Sequence, residues 1–245
     1  MTEWKSPTES SPNEFSAGSV HLWRIPLDQD DSATASARDL LTADENERYD
    51  RFKPAAIKRR FALARGGMRV ILGRYLSSTP GSLEFRYGEQ GKPSLAPEQN
   101  PAKLRFNLTH SHDLAILAVA SDREVGVDVE HLRDNIEFEM LAARYFSPLE
   151  AEPLASLEGN ELKRQFFRIW TAKEAYIKAI GQGLQIPLDQ FDVAVGSEQQ
   201  PNLLETRHAP EEQDRWSLHS FDCGDDYLGT LAIEKPASSP RFWLA

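Results

Sequence analysis

Residues 114–130 read Leu-Ala-Ile-Leu-Ala-Val-Ala-Ser-Asp-Arg-Glu-Val-Gly-Val-Asp-Val-Glu, and this stretch decides the fold class. Leu114–Ala120 is short and continuously apolar, which predicts a buried strand. Ser121–Glu124 supplies a turn. Val125–Glu130 then alternates, with Val125, Val127 and Val129 on one face and Gly126, Asp128 and Glu130 on the other. Upstream, Leu104-Arg-Phe-Asn-Leu108 reads as a further strand ending at Thr109 and His110. Downstream, Leu162–Ile180 carries helical periodicity, with Gly181, Gly183 and Pro187 as stop signals. Strands and helices are mixed without strict alternation, so the expected class is α+β and not a doubly wound sheet.

Further strands are expected at Val20–Leu27, Phe191–Val195, Trp216–Phe221 and Tyr227–Ile233. Thr42-Ala-Asp-Glu45 is a capping-box sequence for a helix running to about Phe52. Pro54 can open a second helix that reaches about Leu76. Gly66 and Gly67 sit inside it at about 1 kcal/mol each relative to Ala, so some neighbour is expected to approach closely there. Pro80 and Gly81 break the chain before a loop centred on Gly91-Lys92-Pro93. Residues 1–18, rich in Ser, Pro and Glu, read as a disordered tail.

The chain has 245 residues, 40% hydrophobic and 27% charged, ordinary values for a soluble protein of one large or two small domains. No apolar run approaches the roughly 20 residues of a membrane span, and the N-terminus lacks a signal-peptide pattern. Cys223 is the only cysteine, which excludes an intrachain disulfide and suits a reducing cytoplasm. The formal charge of −10 argues against a nucleic-acid binder. Against that acidic background, Arg48–Arg74 holds nine basic residues and one acid, Asp50. Such a run is either a solvated helix face or an anion-binding surface, for a small polyphosphate or an acidic protein.

Asp128 and Glu130, two apart on a strand, have Cα atoms about 6.5–7 Å from each other, close enough to share a hard divalent cation. D-x-E alone is equally an exposed polar strand face. Glu174 and Lys178 are i,i+4 neighbours: either a surface pair contributing about 0.3–0.5 kcal/mol, or a third carboxylate and a lysine beside a phosphate. His110 and His112 have strand spacing but no third ligand nearby. Trp170 reads as a core or pocket-wall residue, and His21, His131, His208 and His219 form no constellation.

In order along the chain stand Phe106-Asn-Leu-Thr-His-Ser111, Val125-Gly-Val-Asp-Val-Glu130 and Trp170-Thr-Ala-Lys-Glu-Ala-Tyr-Ile-Lys178, followed by Gly181-Gln-Gly-Leu184. Together they resemble the 4′-phosphopantetheinyl transferase superfamily over roughly residues 42–190. Length and the Gly91-Lys92-Pro93 loop resemble its long, surfactin-synthetase-activating type. That likeness implies an intramolecular pseudo-dimer of two similar α+β halves, here 19–121 and 122–245, with the active site in the cleft between them. It implies transfer of phosphopantetheine from coenzyme A to a serine of an apo carrier protein, by a cytoplasmic monomer that uses Mg²⁺, with Mn²⁺ able to substitute. Asp128, Glu130 and Glu174 would be the metal ligands, and Glu174, Lys178 and Asp128 the catalytic set. Arg48, Lys92, Thr109, His110 and Lys178 would bind coenzyme A, His110 and Arg48 at its 3′-phosphate and Lys178 at the pyrophosphate. Glu150 matches a family carboxylate without an assigned role. Thr109 stands where the family usually has Ser, and Gly66-Gly67 replaces larger residues. The rivals are another Mg²⁺-dependent phosphotransferase or nuclease, which needs no nucleotide-binding set, and a non-catalytic relative, which would lack an acid or the lysine.

Overall fold

The computed structural model describes residues 2–7, 15–196 and 200–245. The first part of the chain forms β1 (Val20–Pro26), α1 (Asp31–Arg38), α2 (Ala43–Arg51), α3 (Ala55–Leu76), a small hairpin of β2 (Phe85–Tyr87) and β3 (Pro93–Leu95), then β4 (Leu104–Ser111) and β5 (Leu114–Ser121). The second part forms β6 (Val125–His131), α4 (Phe138–Tyr145), α5 (Pro148–Leu154), α6 (Gly159–Ile180), the pair β7 (Phe191–Ala194) and β8 (Asn202–Thr206), then β9 (Trp216–Asp222), β10 (Tyr227–Glu234) and β11 (Arg241–Leu244). The mixed α+β class stands. The sequence reading had not anticipated α1, α4, α5, β2, β3, β8 or β11, which are short or weakly periodic.

One pattern occurs twice. In the first part a strand (β1) leads to a 22-residue helix (α3), and two more strands follow, giving the sheet order β1-β5-β4. In the second part β6 leads to the 22-residue α6, and β9 and β10 give the order β6-β10-β9. Every one of these pairings is antiparallel, and in each sheet the last strand takes the middle place. The two sheets face each other across a shared core. Leu22, Ile116 and Ala118 of one sheet meet Val125, Val127, Leu231 and Ile233 of the other. On its outer face the first sheet packs Ala115, Leu117 and Val119 against Met68 and Leu72 of α3. β5 is therefore apolar on both sides, as Leu114–Ala120 requires.

Local sequence sets the helix ends. Thr42 and Glu45 form the capping box of α2, with the Thr42 N–H donating to Glu45 Oε2 at 3.2 Å. α6 stops at Gly181, whose φ of +73° is cheap only for glycine. The glycine pair of α3 is explained by close approach. A Cβ at Gly66 would lie 2.8 Å from Ala37 of α1, and one at Gly67 would lie 2.9 Å from Ile25 of β1.

Two expectations need correction. Part of the supposed tail is ordered: Trp4 packs edge-on against Phe242 at 5.2 Å, Lys5 bridges to Trp243, and Phe15 packs on Tyr75. Aromatic side chains spaced among the polar residues supply the burial that the composition hid. Residues 1 and 8–14 of that reading lie outside the described residues. The division at 121/122 also leaves out a return of the chain, because β11 pairs in parallel with β1 and so joins the first sheet.

Candidate active site

The sheets meet edge to edge where β4 runs beside β6, and polar side chains, not a backbone ladder, join them. Alternate residues of β4 point at β6. Asn107 Oδ1 accepts from the Val127 N–H at 2.9 Å. Thr109 Oγ1 donates to Asp128 Oδ1 at 3.2 Å. Ser111 Oγ donates to Glu130 Oε2 at 2.7 Å and accepts from the His131 N–H at 3.1 Å. The Phe106–Ser111 motif thus holds the acidic strand in register.

On its other side β6 lies on α6 at backbone distance. A Cβ at Gly126 would come within 2.2 Å of the Ala175 carbonyl oxygen and 2.3 Å of the Ala179 nitrogen. Only glycine fits there. This contact sets Asp128 opposite Lys178, whose ammonium donates to Asp128 Oδ1 at 2.5 Å and to Thr109 Oγ1 at 3.2 Å. Glu174 lies one turn earlier on α6, half-buried.

These charges act on one another. Burial, with the charges of Asp128 and Glu130 added and that of Lys178 opposing, pushes the Glu174 carboxyl up to about 7. Burial and the neighbouring Asp128 raise Glu130. For Lys178, burial acts downward, but Asp128, Glu174 and Glu130 outweigh it and hold the ammonium above its ordinary range. Buried Asp128 has its pKa raised by desolvation against the pull of Lys178. Of the two directions in this pair, the charged ammonium carries the interpretation, because three carboxylates surround it.

The donor set fits a hard divalent cation. Asp128 Oδ2 is buried with no hydrogen-bond partner among the described residues, leaving a carboxylate lone pair unused. The Asp128 charge raises the proton affinity of both Glu130 and Glu174, and Glu130 adds to the rise at Glu174, a cost that a cation removes. Among the described residues no three His, Cys, Asp or Glu side chains are arranged closely enough to hold a metal ion together. Lys178 supplies the positive charge at Asp128.

Beside this cluster opens a cleft lined by Arg48, Phe61, Arg65, Lys92, His110 and Lys178, with Gly181 and Gly183 at its floor. Of the nine basic residues between Arg48 and Arg74, only Arg48 and Arg65 line it. Arg69 is buried against Glu45 at 2.8 Å, and Arg60 pairs with Asp113 at 2.9 Å. The Arg48 guanidinium lies over the Phe61 ring at 5.5 Å. His110 is open to solvent at the cleft. Desolvation by the cleft walls, together with the Lys178, Arg60 and Arg65 charges, lowers its pKa.

Two expected ligand contacts come out differently. The Lys92 stem lines the cleft, but its ammonium reaches α6 and the start of β6, donating to the Ala179 carbonyl at 2.9 Å, the Val125 carbonyl at 3.0 Å and Glu124 at 3.3 Å. The Thr109 hydroxyl, expected at a phosphate, is buried and engaged by Asp128 and Lys178. Glu150 finds its place away from the cleft. It accepts from the Ser147 and Val193 N–H groups and pairs with fully buried Lys173 at 2.8 Å. Arg65 went unsingled in the sequence because, inside a basic run, nothing marks which face of α3 meets the cleft.

The family described as the 4′-phosphopantetheinyl transferase superfamily matches residues 124–232. The 4′-phosphopantetheinyl transferase HetI of Nostoc sp. is 40% identical over 224 residues, covering 91% of each chain. The chain belongs to the 4′-phosphopantetheinyl transferase superfamily. The putative 4′-phosphopantetheinyl transferase slr0495 of Synechocystis sp. is 33% identical over 91% of this chain and 85% of its own. The transferase Sfp of Bacillus subtilis (strain 168) is 29% identical over 76% and 80%. Likeness that extends over nine-tenths of HetI takes in both sheets and the seam, not the acidic strand alone.

Proposed function

We propose that this transferase moves the 4′-phosphopantetheine group of coenzyme A onto a serine of an apo carrier protein, releasing 3′,5′-ADP. The observation that carries the reading is the position of Lys178: one ammonium joins the cation-lined cleft to the buried acids. A nucleotide polyphosphate in the cleft would have its reacting phosphorus beside those acids. Asp128, Glu130 and Glu174 are the groups that would hold Mg²⁺ or Mn²⁺, which when bound supplies charge neutralisation at the pyrophosphate.

The serine oxygen attacks the β-phosphorus, the bond to the ADP oxygen breaks, and the serine proton passes to Glu174. Burial pushes the Glu174 carboxyl up, so it takes a proton more readily than an ordinary carboxylate. Lys178 balances charge on the departing 3′,5′-ADP, and Arg48 and His110 hold its 3′-phosphate. The Lys92 ammonium braces the loop that forms one cleft wall. A chain that contributes both walls needs no second copy, and the repeated strand–helix–strand–strand pattern supports a monomeric pseudo-dimer. No helix among the described residues is long and apolar enough to cross a membrane, and Cys223 is a buried free thiol, which suits a cytoplasmic enzyme.

The test is incubation with coenzyme A, Mg²⁺ and a panel of apo acyl, peptidyl and polyketide carriers. A mass gain of one phosphopantetheine, abolished when the acceptor serine is changed to alanine, is the expected result. Carriers that stay unmodified across the panel would refute the reading.

A further inference from the structure

We infer that Lys92 is a positioning residue of the transfer reaction: its ammonium clasps the end of α6 to the start of β6 and so sets Lys178 against Asp128. The inference rests on the proposed function and deepens it, giving the loop lysine a part in the chemical step in place of a part in holding coenzyme A. An ammonium has three protons to donate. Those of Lys92 go to the Ala179 carbonyl at 2.9 Å, the Val125 carbonyl at 3.0 Å and Glu124 Oε2 at 3.3 Å. None is left for a phosphate.

The acceptors explain why a cation belongs there. α6 ends at Gly181, and the last carbonyls of a helix have no partner in a following turn. The Gly181 N–H closes back on the Ile177 carbonyl at 3.1 Å, and Lys92 takes the Ala179 carbonyl at the negative end of the helix dipole. Glu124 is shared with Arg105 at 3.1 Å. Ala179 directly follows Lys178, and Val125 lies three residues before Asp128. The tie therefore joins the two elements close to the pair on which the chemistry turns. Gly126 fixes how near β6 and α6 lie, but having no side chain it does not stop one from sliding along the other. Bonds from one ammonium to a fixed carbonyl on each element oppose that slide. Lys178 has little room for it, holding Asp128 at 2.5 Å and Thr109 at 3.2 Å. The loop itself closes without the ammonium: Phe85 pairs with Leu95, and the Gly88 N–H donates to the Lys92 carbonyl at 3.0 Å. Removing the charge therefore loosens the register of α6 on β6 and leaves the cleft wall in place.

The experiment measures kcat and the KM for coenzyme A in transfer to an apo carrier, for wild type, Lys92→Met, Lys92→Arg, Glu124→Ala and Arg105→Ala. The rise in thermal midpoint on adding 3′,5′-ADP is read alongside. Lys92→Met keeps the stem in the cleft, so its kcat should fall about 10- to 100-fold, the range for a small misplacement of a reacting group. Its KM and its response to 3′,5′-ADP should stay within about twofold of wild type, because ground-state binding is untouched. Lys92→Arg should recover part of the rate, since it keeps a cation that donates to carbonyls. Glu124 is half-buried and does not line the cleft, so Glu124→Ala gives the same reading should Lys92→Met prove too unstable to assay. Its kcat should fall about three- to tenfold at unchanged KM, one of three partners being lost. Arg105→Ala breaks only the outer pair and should leave kcat within about twofold. A raised KM at unchanged kcat in Lys92→Met would overturn the clasp and make the lysine a ligand. Rates within twofold of wild type in folded Lys92→Met or Glu124→Ala would also overturn it, with the proposed function left standing by wild-type transfer. A wild type that transfers to no carrier would bring down the proposed function and this role with it.

Discussion

Lys173 is one residue from Glu174 on α6, yet the structure separates their roles completely. Its side chain is 0% exposed, and its ammonium donates to the Phe191 carbonyl at 2.5 Å, the Leu188 carbonyl at 2.6 Å and Glu150 Oε1 at 2.8 Å. Glu150 in turn ties down the Ser147 and Val193 N–H groups. The node therefore fastens α5, α6 and β7 together around one buried ion pair. Lys173→Met keeps most of the stem and strands the carboxylate and two carbonyls. Removing one partner of a buried pair costs about 3–5 kcal/mol. For a chain of this size each kcal/mol moves the thermal midpoint by about 2–4 °C, so the expected drop is about 6–20 °C. Urea unfolding of wild type, Lys173→Met, Glu150→Gln and the double variant would read it, with the double costing clearly less than the sum of the singles. Transfer per folded molecule, measured well below the midpoints, should stay near wild type because Lys173 does not reach the cleft. A loss below about 1 kcal/mol would refute the energetic argument. A well-folded Lys173→Met with transfer reduced a hundredfold would refute the structural role.

Asp128→Ala and Glu174→Ala should each slow transfer by several orders of magnitude with little loss of thermal midpoint, because removing one of several mutually repelling acids need not destabilise the fold. Wild-type rates in these folded variants would show the chemistry to lie elsewhere. Lys178→Ala should slow transfer and, unlike them, lower the midpoint, since it leaves buried Asp128 without its cation; an unchanged midpoint would contradict that pairing. Gly126→Ala pushes a methyl into the α6 backbone, so a loss of about 3 kcal/mol or more and a matching fall in transfer are expected from calorimetry and rate assays; a neutral outcome would mean the strand and helix do not touch there. His21, buried and hydrogen-bonded to Tyr75 at 2.6 Å, has its pKa lowered to about 4 by burial and by Arg241. The unfolded chain binds that proton near 6.5, so the contribution is complete above 6.5 and is lost as pH falls toward 4, up to about 3 kcal/mol. Urea midpoints across that window should fall more steeply for wild type than for His21→Gln; parallel curves would exclude His21 as the cause.

Periodicity and caps are local properties, so the sequence alone determined most of the frame. Val125–Glu130 had to place its valines on one face, Leu114–Ala120 had to be buried on both, and Thr42 and Gly181 had to bound helices. The acids and Lys178 were legible for the same reason, because two-residue and four-residue spacings fix which side chains share a face. What the sequence left open depends on contacts distant in the chain. Only the tertiary structure decided that Glu150, 23 positions from Lys173, meets it in the core. It took tertiary packing to give Gly126 its α6 neighbour, to bring β11 home to β1, and to engage the Lys92 ammonium across the seam. Arg65 shows the limit most plainly. In the sequence it is one cation among nine, and only the fold sets it at a cleft wall with its Nη1 buried and without a hydrogen-bond partner among the described residues. Desolvation gives a charge its chemical consequence, and it is set by the whole fold.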